Sequence, residues 1–203
     1  MNYSLFILRL SCTGLLLALA SGCTHTFTAK ITVKPTDLRA GQKMPHRAAL
    51  VLNQELADYK YEFQAMGITT VYPFGPALQD YARAVATHSF QEVQVAPSAE
   101  KAAEMSTADL VLIPRAVKAD QSVGIYAWNK VHFTLVVEWA AKERAGQNTV
   151  WLKTITAEAS EPMGNAFTEG KHWLVLEQKL FDDLSLKTQA AFQESPELRA
   201  KQP

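Results

Sequence analysis

From Lys130 to Trp139 the chain alternates without a break. Val131, Phe133, Leu135, Val137 and Trp139 fall on one side; His132, Thr134, Val136 and Glu138 fall on the other. Successive side chains of a strand point to opposite faces, so this period requires a strand with one apolar face and one wet face. Lys142 to Asn148, with Gly146, reads as a turn, and Val150 to Ala157 as the strand that returns beside it. An apolar sheet face must be covered. Two amphipathic helices are available to cover it. Gly75-Pro76 opens the first, with proline in a first-turn position where its missing N–H has no role. Leu78, Tyr81, Ala82, Val85 and Ala86 then recur at helical spacing. The second helix is predicted from about His172 to Gln193, with Trp173, Leu176, Leu180, Leu184 and Ala191 on its buried side.

The remaining elements are shorter. A folded domain is expected over 46–195, opening on the buried strand Ala48-Ala49-Leu50-Val51-Leu52. Tyr59-Lys60-Tyr61-Glu62-Phe63 alternates aromatic with charged residues, Gly67 breaks the run, and Thr69 to Tyr72 can pair back. Phe90 to Val95 reads as a strand, and Pro97-Ser98 as the start of a short helix from Ala99 to Met105. Asp109 to Val117 is apolar on both faces through Leu110-Val111-Leu112-Ile113 and should be central. Pro114 predicts a bulge there or a strand leaving the sheet. Ser195 onward, residues 196–203 above all, reads as a polar tail. Strands joined by turns, with helices between and after them, make the class α+β: a mixed or antiparallel sheet with helices packed mainly on one face.

With 20 basic and 20 acidic residues the chain has no basic footprint for nucleic acid. Its 2 cysteines, Cys12 and Cys23, are too few for a disulfide scaffold or a structural zinc site. Residues 1–22 read as an export signal: Arg9, a short apolar run from Leu10 to Ala20, then small residues. The run falls short of the ~20 apolar residues that span a bilayer. Leu19-Ala20-Ser21-Gly22-Cys23 resembles the lipobox of bacterial lipoproteins, with Ala20 where that family prefers leucine. The resemblance implies cleavage between Gly22 and Cys23 and lipidation of Cys23 by a diacylglycerol, which leaves no free thiol in the mature chain. Thr24, rather than aspartate, follows the cysteine. By the same resemblance the protein belongs on the outer membrane, facing the periplasm. Residues 23–45 then form the lipidated N-terminus and a tether. Phe27, Ala29, Ile31 and Val33 alternate within it, which fits either an extended edge or a spacer.

Reaction chemistry is hard to find. The 5 histidines, His25, His46, His88, His132 and His172, form no HExxH and no close pair, so no metal site is expected and they read as isolated surface residues. His132 and Glu138 share a strand face but sit ~20 Å apart at ~3.3 Å per residue. No nucleophile elbow, phosphate loop or dinucleotide fingerprint is present. Glu177, Asp182 and Asp183 are expected on the solvated face of the last helix. No catalytic residue and no cofactor is assigned, and the chain is not read as an enzyme. Tyr126 and Trp128, between two strands, admit two readings: a contact for a partner or a glycan, or rings closing one end of the core. Tyr59, Tyr61 and Phe63 pose the same choice, with the core favoured. Arg115, Lys118 and Asp120 read as a solvated strand end.

Three segments carry a wider resemblance. They are Gly75-Pro76-Ala77-Leu78-Gln79-Asp80-Tyr81-Ala82 leading to Val93-Gln94-Val95; the hairpin of Phe133 to Trp139 with Val150-Trp151-Leu152-Lys153; and the closing amphipathic helix. Together they resemble the small periplasm-facing lipoproteins of Gram-negative bacteria: the YajG-type, the PqiC-type auxiliary lipoproteins of ABC lipid transport, and the LpoB-type synthase activators. The domain of these groups is similar to the N-terminal domain of TolB. The resemblance implies a non-enzymatic adaptor or auxiliary subunit of an envelope transport or assembly system, with a membrane anchor and an envelope protein partner. It also leaves room for a homo-oligomer. The alternative is a lipoprotein that binds peptidoglycan or exopolysaccharide. The segment from Glu55 to Val71 is longer than that pattern calls for.

Overall fold

The computed structural model describes Leu38 and residues 43–65, 68–123, 130–144, 148–162 and 169–200. In chain order the elements are β1 (Met44–Val51), α1 (Gln54–Ala57), β2 (Tyr61–Ala65), β3 (Ile68–Tyr72), α2 (Gly75–Ser89), β4 (Phe90–Ala96), α3 (Ala99–Ala103), β5 (Leu110–Val123), β6 (Lys130–Glu143), β7 (Thr149–Pro162), α4 (Glu169–Glu194) and α5 (Pro196–Arg199). The described residues fall into two compact units. Glu62–Tyr72 is in one, where β2 and β3 form a two-stranded sheet; the body holds the rest.

The body is built on a five-stranded sheet in the order β4-β1-β5-β6-β7. β1 runs parallel to both neighbours, while β5, β6 and β7 run antiparallel. The parallel pairs arise because α2 carries the chain back between β1 and β4, and α3 carries it across to β5. The class is α+β with a mixed sheet, as the pattern of elements predicts. Val131, Phe133, Leu135, Val137 and Trp139 are all buried beneath α2 and α4, and His132 on the opposite face is exposed. Among the described residues the outer face is covered at the β4-β1-β5 corner. There α3 lays Ala102 on Ala49, Val51, Ala96 and Val111.

Three strands, β5, β6 and β7, outrun their expected length, because they stay in register beyond the apolar alternation. β5 and β6 pair from Leu110–Glu143 to Val123–Val131. Pro114 causes no bulge and lies opposite Trp139. Pairing with β1 covers only Leu110 to Leu112, so at Pro114 the strand has one neighbour and proline is tolerated. The irregularity falls instead at Val117, between Ala116 and Lys118. On α4, Leu176, Leu180 and Leu184 are buried as expected. Ala191 is half-buried, and Phe181, Thr188 and Phe192 complete the stripe. The segment expected as a polar tail folds: Ser195 caps α5, and Leu198 is fully buried. Met44, ahead of the expected boundary, is buried too. No described helix is long and apolar enough to cross a membrane.

One hydrogen-bonded chain ties the layers together. Trp139 Nε1 donates to the Tyr81 hydroxyl at 2.9 Å. Thr188 Oγ1 donates to the Leu184 carbonyl at 2.8 Å, so its remaining capacity is as acceptor, and Tyr81 donates to it at 2.6 Å. β6, α2 and α4 thus meet at one phenol. Burial pushes the Tyr81 pKa well above its ordinary value. Edge-on contacts of Trp139 with Tyr81 and Phe192, at centroid distances of 6.1 and 5.1 Å, pack the surroundings. α2 also starts against α1, where a Cβ on Gly75 would lie 1.8 Å from the Ala57 carbonyl oxygen.

Tyr81→Phe leaves the Trp139 N–H buried without an acceptor, so urea unfolding should show a loss of about 1–3 kcal/mol. Gly75→Ala should lower stability by about 1–3 kcal/mol through forced separation of α1 and α2, read by the same measurement.

Candidate functional site

At one end of the sheet, among the described residues, β5 finishes at Val123, β6 begins at Lys130 and β7 finishes at Pro162. Val123, Val131 and Glu161 lie side by side there, and Lys179 of α4 pairs with Glu161. One row inward, Gln121 lies opposite Phe133. Phe133 meets Tyr61 and Phe74 edge-on, each at 5.4 Å, and Phe74 meets Phe181 of α4 at 6.1 Å.

Beyond Leu112, β5 lacks a neighbour on the β1 side, and two phenols take up its backbone. The Tyr59 hydroxyl bonds to the backbone of Ala119, and the Gln121 N–H donates to the Tyr61 hydroxyl at 3.0 Å. Burial raises both phenol pKa values, and these bonds oppose the rise. The two tyrosines are therefore half-buried clamps on β5, in keeping with the structural reading of their pattern.

Among the described residues the side-chain carbonyl of Gln121, both carboxyl oxygens of Glu177 and the Ser89 hydroxyl are buried without a hydrogen-bond partner. Glu177 was expected on the wet face of α4, and the structure corrects this, leaving it only 4% exposed. It stands four residues before Phe181 and seven before Leu184, inside the apolar stripe. Burial alone lifts its carboxyl from 4.5 to about 7. Beside it, Leu174 and Val175 face outward at 51% and 45% exposure. This stretch of α4 is inside out, with apolar side chains in water and an acid in the core.

The other expected residues scatter. Asp182 and Asp183 are half-buried; Asp183 binds the backbone of β7, and Asp182 accepts from Gln178. Arg115 pairs across strands with Glu138 at 3.0 Å, and Lys118 pairs with Asp120 at 3.1 Å, all on the outer face. His88 and His132 are exposed, but His46 is buried, because the Ala200 carbonyl lies 2.9 Å from its Nε2. Among the described residues no three His, Cys, Asp or Glu side chains converge as a metal site. A groove over Val111 and Ile113 beside α3 holds about 60 Å³, against roughly 300–1,000 Å³ for a small-molecule site. Gly22, Cys23, Tyr126, Trp128 and His25 lie outside the described residues, as does the side chain of His172.

No protein-family model matches the chain, and no curated protein matches it in sequence. Solved structures do match. Protein XCC0632 from Xanthomonas campestris, of the DUF330 family, is 12% identical with a TM-score of 0.51, covering 84% of this chain and 98% of its own. The two share a fold. A minor lipoprotein from Acinetobacter baumannii is 16% identical at a TM-score of 0.43, covering 73% of this chain and 91% of its own. A PelC dodecamer subunit from Paraburkholderia phytofirmans is 17% identical at 0.38, covering 71% and 91% respectively. At 12% identity the likeness to XCC0632 is one of fold.

The raised carboxyl makes a signed prediction. Between pH 4.5 and 7 the folded chain keeps a proton on Glu177 that the unfolded chain releases. The group's contribution to stability therefore falls as pH rises through that window. Glu177→Gln should stabilise the protein at pH 8 by up to about 3 kcal/mol and bring no gain at pH 4, measured by denaturant unfolding at both values.

Proposed function

We propose that the chain is a bacterial envelope lipoprotein, cleaved after Gly22 and lipidated on Cys23. Its α+β body serves as a non-enzymatic adaptor or auxiliary subunit of an envelope transport or assembly system. The carrying observation is Leu19-Ala20-Ser21-Gly22-Cys23 placed directly after a short apolar run that follows Arg9. One acyl chain gives only marginal membrane binding at ~0.8 kcal/mol per buried CH₂, so the two chains of a diacylglycerol are the chemistry that turns this cysteine into an anchor. Thr24 favours the outer membrane on the periplasmic side. Leu174 and Val175, exposed on the inverted stretch of α4, supply the apolar contact that an adaptor needs.

Growth with an alkyne fatty acid should label the full-length chain and leave Cys23→Ala unlabelled and released from the membrane fraction. In-cell crosslinking of the full chain, followed by mass spectrometry, should recover a transporter or synthase. Leu174→Asp, placed on an already exposed site, should reduce that recovery without changing the unfolding midpoint. Retention on sacculi that is lost in Tyr126→Ala and Trp128→Ala would replace the adaptor by the glycan-binding reading.

A further inference from the structure

The two edges of the five-stranded sheet are treated in opposite ways. An edge strand exposes unpaired N–H and C=O groups and templates pairing unless something blunts it. β7 is blunted along most of its length. Its register with β6 steps from Ala141–Trp151 to Lys142–Thr149, which leaves Val150 as an extra, bulged residue. Lys153 is exposed a few residues on. Beyond it, α4 reaches over: Asp183 Oδ2 accepts from the Glu158 N–H at 3.0 Å, and Lys187 Nζ donates to the Thr156 carbonyl at 3.0 Å. Asp183 and Lys187 hold each other at 2.7 Å, so the pair is fixed in place. A bulge, a lysine and two side-chain caps leave β7 no run of free backbone.

β4 has none of these. Among the described residues it has a strand neighbour on one side only, and its side-chain hydrogen bonds, Gln94 with Glu92 and Thr107 with Gln94, leave the strand's backbone untouched. Its sequence, FQEVQVA, holds no lysine and no proline. Its one irregularity against β1 lies between Met44 and Arg47, before the register settles. Val95, on this strand, is 44% exposed.

The Ala96 carbonyl accepts from the Leu52 N–H at 2.9 Å, on the β1 side. Backbone groups alternate sides along a strand, so those of Gln91, Val93 and Val95 point away from the sheet. An antiparallel copy of β4 centred on Val93 matches these groups to themselves. Val93 faces Val93 of the second copy, and Gln91 faces Val95, giving about six backbone hydrogen bonds. Glu92 falls opposite Gln94 rather than opposite itself, so no like charges meet.

We propose that β4 is a homodimerisation edge, paired antiparallel about a two-fold axis at Val93 with a second copy of this chain. The sheet then runs unbroken through both bodies. Because β7 is blocked, growth stops at two copies.

The test uses the full-length chain, with the parent as control for its own Cys12 and Cys23. Val93→Cys should form a disulfide-linked dimer on mild oxidation, since a hydrogen-bonded antiparallel pair places Cα atoms ~5.5 Å apart, within disulfide range. Thr154→Cys on β7 should not link. Val95→Pro removes an outward N–H while sparing the pairing with β1, and light scattering should show the dimer lost. If that variant unfolds, Val93→Lys sets like charges across the axis and should give the same loss. Val93→Cys remaining monomeric, linking to a different protein, or linking no better than Thr154→Cys would overturn the proposal.

Discussion

The body depends on one buried hydroxyl. Tyr81 on α2 accepts from the indole of Trp139 on β6 and donates to Thr188 on α4, whose own proton goes to Leu184. Each of these groups would be costly to bury alone, and each fits only if the other two elements sit at the right depth. Hydrophobic burial under α2 and α4 is the larger energy, but it is non-directional. The hydrogen-bonded chain fixes which turn of each helix lies over the centre of β6. The edge-on contacts of Trp139 and Phe90 with Phe192 extend that fixed point toward the β1 side.

A second constraint acts at the sheet's margins. The long hairpin of β5, β6 and β7 outruns β1, so its backbone needs partners that strands do not supply. Tyr59 and Tyr61 take the exposed side of β5, and Asp183 and Lys187 take that of β7. β4 stands apart by having no such partner among the described residues. The outer face carries one cross-strand ion pair, Arg115 with Glu138, and one along β5, Lys118 with Asp120. Exposed large apolar side chains are spread among the described residues: Leu174 and Val175 on α4, Val95 on β4, Val117 on β5 and Leu152 on β7.

Much of this was legible in the sequence where the rule is local. The alternation of Val131 to Trp139 is a direct print of strand geometry, and the stripe on α2 of helical geometry. Pro114 misled because the effect of a proline depends on whether a second strand is present at that position, and β1 ends two residues earlier. Glu177 misled for a related reason. A charge inside a helix is ordinarily turned to water, yet its spacing to Phe181, Leu184, Thr188 and Phe192 was a readable signal that it shared their face. His46 and Leu198 could not be read, since both are buried by contacts between the two ends of the domain.

The sequence by itself determined the main strands and the two long helices, most of their buried faces, and the lipobox-like approach to Cys23, because these follow from neighbours a few residues apart. Only the tertiary structure decided that β1 lies between β4 and β5, that Glu177 loses its water, and that one sheet edge is capped while the other is bare. Those outcomes turn on pairs such as Lys187 with Thr156, or Tyr81 with Thr188, which are 31 and 107 residues apart. No local period encodes a partner at that separation, and the unmet polar groups appear only once the packing is complete.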